Sequence, residues 1–236
     1  MGFTRRQAIK LGTAALGSLA PFSWARGSVA AEGETETYGL STFGELALPA
    51  DFPHFAYVNP AAPRGGTLSL QIKNTSGNQN FETFDTLNIF VFKGDGAAGM
   101  DATFDTLMSG TADEPTSMYG LVSAKVRISK DKLTYRFHIR PEARFHDGSR
   151  LTARDAAFSF NILKTKGHPV YRSILTEFVG AEADGDDTLI VRFTPARSRD
   201  LHLVIAGLPI FSENWWKGRD FEASTLEAPL LSLIHI

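Results

Sequence analysis

The stretch from Leu133 to Pro169 constrains the fold more than any other part of the chain. Leu133, Tyr135, Phe137 and Ile139 alternate with Thr134, Arg136, His138 and Arg140. Side chains two residues apart share a strand face, so the pattern predicts a strand with one buried and one wet face. Pro141 lacks the amide a ladder needs and ends it. Phe145-His146-Asp147-Gly148 then predicts a turn, because Asp and Gly tolerate turn backbone angles. Thr152 and Asp155 have the spacing of a capping box and predict a helix start. Ala156, Ala157, Phe160 and Leu163 form its apolar stripe. Lys164 and Lys166 suit the negative end of its dipole, and Gly167 with Pro169 stops it.

Hairpin signals flank this unit. Val126 and Ile128, then Ser129-Lys130-Asp131-Lys132, pair the opening strand into a hairpin over 124–140. A second hairpin is expected from Phe178 to Phe193, with Asp184-Gly185-Asp186-Asp187 at its tip and Leu189, Val191 and Phe193 on one face. Leu201 to Ile210 reads as a buried helix or strand leading into Pro209. Upstream, Tyr38 to Arg64 lacks periodicity and reads as a segment wrapped on a surface. Pro63-Arg64-Gly65-Gly66 turns into Leu68, Leu70 and Ile72, an alternating strand. Two hairpins with a helix between them define an α+β unit.

At 236 residues and 43% hydrophobic, the chain can bury a substantial core. Its net charge of -2 argues against a nucleic-acid partner, which would require clustered Lys and Arg. Cysteine is absent, which excludes disulfides, thiolate metal sites, cysteine nucleophiles and a cysteine-borne lipid anchor. Arg5, Arg6 and Lys10 precede an uncharged apolar run, Leu11 to Trp24, and small residues at Ser28 and Ala30. That order predicts a signal peptide over 1–30, its paired arginines similar to the twin-arginine class despite Ala8 where a bulky apolar residue is usual.

The chemical motifs are weaker. Ile89 to Phe92 could be a strand, and Gly94-Asp95-Gly96-Ala97-Ala98-Gly99 fits G-x-G-x-x-G. A dinucleotide fold would also need a crossover helix, a second strand and an acid about 20 residues on. Asp113 and Glu114 lie at that distance, but Met100 to Met108 cannot supply both elements. A flexible loop at a helix start, with Met100, Phe104, Leu107 and Met108 buried, is the plainer reading. Asp113 and Glu114 read as solvated loop charge. His138 and His146 lack a metal spacing, Ser159 lacks a nucleophile-elbow surround, and Trp215 and Trp216 read as core anchors. No catalytic or metal constellation emerges and no cofactor is called for, so the chain is not read as an enzyme.

The wording Tyr135-Arg136-Phe137-His138-Ile139-Arg140-Pro141-Glu142-Ala143-Arg144-Phe145-His146-Asp147-Gly148, with Leu151-Thr152-Ala153-Arg154-Asp155-Ala156-Ala157-Phe158-Ser159-Phe160, closely resembles family 5 of the bacterial extracellular solute-binding proteins. These are the oligopeptide, dipeptide and nickel receptors of ABC importers. Tyr38-Gly39-Leu40-Ser41-Thr42-Phe43-Gly44, Phe55 to Pro60 and Asp113 to Leu121 resemble its Yej-type branch, associated with peptides and microcin C. The resemblance implies the N-terminal portion of a two-lobed, type II (cluster C) periplasmic-binding-protein fold, α+β or α/β. Lobe I would start over 31–84, an inserted α+β subdomain would occupy 85–200, and the chain would return to lobe I over 201–230. The function implied is a periplasmic, monomeric receptor that binds oligopeptide or peptide-like ligands and delivers them to a membrane permease. Ligand contacts would come from the loop Phe92, Lys93 and Gly94 and from Phe158, whose place in the helix leaves cleft and core both open. The family's acid for the ligand amino group lies in a second half that this sequence lacks. After Glu227-Ala228-Pro229-Leu230, the run Leu231 to Ile236 matches what a common sequencing adapter encodes, and is expected to be non-biological. A twin-arginine-exported, cofactor-binding enzyme is the alternative, supported by the leader and the glycine pattern alone.

The leader reading has a direct test. Replacing Arg5 and Arg6 with lysine is expected to leave precursor in the cytoplasm, whereas normal periplasmic yield would assign export to the general secretory route.

Overall fold

A computed structural model describes residues 33–63, 65–67, 69, 78–80 and 82–232. The leader and the strand expected at Leu68, Leu70 and Ile72 lie outside the described residues. The strands are β1 (Thr35–Thr37), β2 (Gly39–Ser41), β3 (Gln79–Asn80), β4 (Gly96–Ala97), β5 (Met108–Thr111), β6 (Glu114–Gly120), β7 (Ser123–Ile128), β8 (Thr134–Ile139), β9 (Phe178–Asp184) and β10 (Thr188–Phe193). The helices are α1 (Ala153–Lys166), α2 (Pro169–Ile174), α3 (Leu201–Ala206) and α4 (Glu213–Trp216).

The main sheet is antiparallel in the order β1-β7-β8-β10-β9. Alternation in β8 sets its register. Phe137 sits opposite Val126 of β7 and Leu189 of β10, and all three are buried. Tyr135 and Ile139 share that face, while His138 points to solvent. Both expected hairpins form. On the edge strand β1, Glu36 lies opposite Arg127 and accepts 2.8 Å hydrogen bonds from Arg127 and Lys125. These charges are well exposed, so the pairs fix alignment more than they stabilise. A second sheet, β2-β6-β5, and a parallel pair, β3-β4, complete the α+β architecture.

Helix α1 packs against β9 and β10 through Ala153, Ala156, Ala157, Phe160 and Leu163, the stripe read from sequence plus one alanine. Its capping box forms: the Thr152 amide donates to Asp155 Oδ2 at 2.8 Å, and the Thr152 hydroxyl to the same oxygen at 2.7 Å. Asp155 Oδ1 also accepts the Glu213 amide at 2.9 Å. One turn on, buried Ser159 accepts the Phe211 amide at 2.7 Å and donates to the Asp155 carbonyl at 2.6 Å. Two helix side chains therefore hold the start of α4. At the opposite flank, the Asn161 carboxamide donates to the Ala181 carbonyl at 2.7 Å and accepts the Ala181 amide at 3.0 Å. Lys164 donates to the Phe178 and Val179 carbonyls. These contacts occupy outward backbone groups of β9, the other edge strand.

Three expectations need correction. Ile89 to Phe92 is a turn rather than a strand, although Ile89, Phe90 and Val91 are buried. Asn88 replaces the ladder, accepting the Phe90 amide at 3.2 Å and donating to the Phe221 carbonyl at 2.7 Å. Met100 to Met108 forms one short 3-10 turn, Met100–Thr103, before entering β5. The left-handed Gly99 (φ 86°) precedes that turn, and Phe104 is already extended after it. Glu114 opens β6 and is not loop charge: it accepts hydrogen bonds from Ser117 and Tyr119 and from the Ala47 amide. The wrapped segment is thereby pinned to β6, with Phe52 and Phe55 set edge-on to Tyr119.

Phe137 reports on this core. Phe137→Ala is expected to cost about 3–5 kcal/mol in chemical denaturation, and a loss under about 1 kcal/mol would contradict the register.

Candidate functional site

The loop after the buried turn carries Phe92, Lys93 and Gly94. Asn78 donates to the Lys93 carbonyl at 2.8 Å, and the Asp95 amide donates to Asp85 Oδ1 at 2.8 Å. The Asp85 amide returns a bond to the Asp95 carbonyl at 2.9 Å. Gly94 adopts φ 85°, and a Cβ there would stand 2.7 Å from both Asp85 Oδ1 and Ser224 Oγ. Any other residue would strain the backbone and collide with its supports. The loop is thus braced on two sides while Phe92 projects from it, 74% exposed.

Phe92 rests against the His168 ring, 5.6 Å between centroids, and the His168 amide donates to the Phe90 carbonyl at 2.7 Å. His168 Nδ1 accepts the Val170 amide at 3.3 Å, which leaves the proton on Nε2. Burial, with Arg172 nearby as the lesser cause, lowers the His168 pKa and favours the neutral ring. Val170 and Ile174 of α2 are exposed.

Phe158 occupies a different place. It is half-buried and packs against the core, and it lines an open groove with Arg154, Asn161, Ile162 and Glu213. Trp216 and Lys217 continue the groove on the α4 side. Phe158 sits in the second turn of α1 and His168 lies just past the helix end, roughly 15 Å further along the axis at 1.5 Å per residue. Core and surface both claim Phe158, as its sequence position left open. His168, Asn161 and Glu213 were not singled out by sequence. A histidine one residue before a proline, or a lone asparagine on a helix, carries no local signal of its partners.

The remaining candidates fall into structural places. His138 is exposed on β8, and exposed His146 accepts the Leu231 amide at 2.9 Å. Trp216 is buried, while Trp215 packs edge-on to it and under the Arg219 guanidinium at 4.3 Å. The glycine run leads into β4 and a 3-10 turn, not into a phosphate-binding helix. Among the described residues, no group of three or more His, Asp or Glu is placed to hold a metal ion, and no helix is long and apolar enough to cross a membrane.

Residues 117–232 match the family described as "Bacterial extracellular solute-binding proteins, family 5 Middle". The "Probable peptide-binding protein YejA" of Agrobacterium fabrum strain C58 is 37% identical over 196 residues, covering 80% of this chain. The chain belongs to family 5. The uncharacterised protein y4wM of Sinorhizobium fredii is 36% identical over 80% of this chain. The "Peptidoglycan-binding protein YepA" of Agrobacterium fabrum is 34% identical, again over 80%. The chain spans 28%, 30% and 31% of these three relatives, or roughly a third of each. Among solved structures, NikZ of Campylobacter jejuni with Ni(L-His) overlaps 62% of this chain and 29% of its own, at 18% identity and a TM-score of 0.49.

The braced loop makes a stability prediction. Gly94→Ala is expected to lower the melting temperature measurably, whereas Phe92→Ala, on the same loop but exposed, should change it little. Equal effects would show that the loop is not braced as described.

Proposed function

We propose that this chain is part of the solute-binding component of an ABC importer, acting in the periplasm on peptides or peptide-like ligands. The observation that carries this reading is the 37% identity to a relative named as a peptide-binding protein, over most of the chain. The relative named for peptidoglycan binding extends it to peptide stems attached to sugar, which offer the same backbone groups. Receptors of this kind gain affinity from main-chain pairing, which tolerates many side chains. Closure of two lobes by a hinge then signals occupancy to the permease. A leader with paired arginines supports export by the twin-arginine route.

Within that reading, Phe92, Lys93, Gly94 and Phe158 form this chain's share of the ligand surface. Phe92 offers an aromatic face already exposed, so no core contact is lost when a ligand covers it. Lys93 is exposed and makes no ion pair among the described residues, leaving its ammonium for a carboxylate. Phe158 opens onto the groove on α1.

Mass spectrometry of molecules that co-purify with the product of the intact gene tests the class of ligand. Peptides or peptidoglycan stem peptides are expected, and a bound flavin or nicotinamide would overturn the receptor reading. With a peptide in hand, Phe92→Ala is expected to weaken binding about tenfold without lowering the melting temperature. Unchanged affinity would remove the loop from the site.

A further inference from the structure

Arg154, Phe158, Ile162 and Lys166 recur every four residues and so form one stripe along α1, from its first turn to its last. The groove that follows this stripe has a volume of about 520 Å³, within the range of small-ligand sites. Ala157, Phe158, Ile162 and, from β9, Ala183 give it an apolar floor. Glu213 stands at one end. Its amide is held by Asp155 Oδ1 at 2.9 Å, which sets it beside the first turn of the helix. Lys166 lines the groove from the last turn.

The other polar side chains along the groove already have partners. The Asn161 carboxamide is bonded both ways to Ala181. The Thr165 hydroxyl donates back to the Asn161 carbonyl at 2.8 Å. Arg154 pairs with Asp186 at 3.3 Å. Glu213 and Lys166 are exposed and form no ion pair among the described residues. One carboxylate and one ammonium are thus left at opposite ends of an apolar trough. Lys217 lines only the adjoining cavity, which shares Phe158 and Glu213 with the groove.

The helix sets the distance between these charges. Asp155, which fixes Glu213, and Lys166 are eleven residues apart. That is roughly 16 Å at 1.5 Å per residue. An extended peptide covers about 3.3–3.6 Å per residue, so about four or five residues reach from one end to the other.

We propose that this groove binds an extended peptide of about four or five residues by its two ends, the N-terminal ammonium at Glu213 and the C-terminal carboxylate at Lys166. This mode of binding rests on the peptide reading above and gives it a length, a polarity and a demand for free termini. Side chains of the peptide rest on Phe158 and Ile162 without a specific polar contact, so many sequences are admitted. The α1 dipole opposes this polarity, and Asp155 in its first turn and Lys164 in its last offset it.

Isothermal titration of the intact gene product with tetra-alanine, its N-acetylated and C-amidated forms, and dialanine tests this. Tetra-alanine is expected to bind saturably and each blocked form about fivefold more weakly, with dialanine weaker still because it cannot span the ends. Glu213→Gln should erase the acetylation penalty and keep the amidation penalty, and Lys166→Gln should do the reverse. Both positions are exposed, so the melting temperature should not change. Binding that acetylation leaves unchanged, or an acetylation penalty that survives in Glu213→Gln, would overturn the groove and leave the peptide reading standing. So would failure of tetra-alanine to bind when other peptides co-purify with the protein; if none co-purify either, both fall. An amidation penalty lost in Lys93→Gln rather than in Lys166→Gln would place the carboxylate on the Phe92 loop and overturn the polarity.

Discussion

The carboxylate of Asp155 joins parts of the fold that sequence keeps far apart. One oxygen closes the N-terminus of α1, and the other accepts the amide that starts α4, 58 residues later. Ser159 repeats the link one turn on, with Phe211. A buried carboxylate is tolerated only when its lone pairs are used, and here both oxygens accept. The consequence is positional. Helix α1 cannot shift along the sheet without breaking its own cap and the start of α4 together. The aromatic cluster of Phe90, Phe104, Phe211 and Phe221 then packs against a fixed frame.

Where a periodic pattern acts alone, the sequence was enough to place the element. The β8 alternation, both hairpins and the capped helix follow from spacing two or 3.6 with terminal signals, and each forms close to its expected bounds. Legibility failed at 89–92 and 100–108. There a short apolar run is buried by long-range contacts, and Asn88 or a 3-10 turn satisfies the backbone in place of regular structure. Glu114 was misread for a similar reason. Its partners Tyr119 and Ala47 are brought to it by β2–β6 pairing, which no local window reveals.

The candidate surface was legible mainly through resemblance. Nothing in the spacing of Phe92, Lys93 and Gly94 distinguishes a functional loop from a solvent loop. In the structure the loop is braced by Asn78 and Asp85, and the exposed ring leans on His168. Phe158 could not be assigned by periodicity, since half-buried positions at the edge of a stripe belong to both faces.

The Asn161 carboxamide is chemically a peptide group without a chain on either side. Set against Ala181, it behaves as one residue of a missing strand and then stops. An open sheet margin accepts extended backbones indiscriminately, including those of the protein's own copies. By ending the sheet with a side chain, the fold denies extended chains a foothold at that margin.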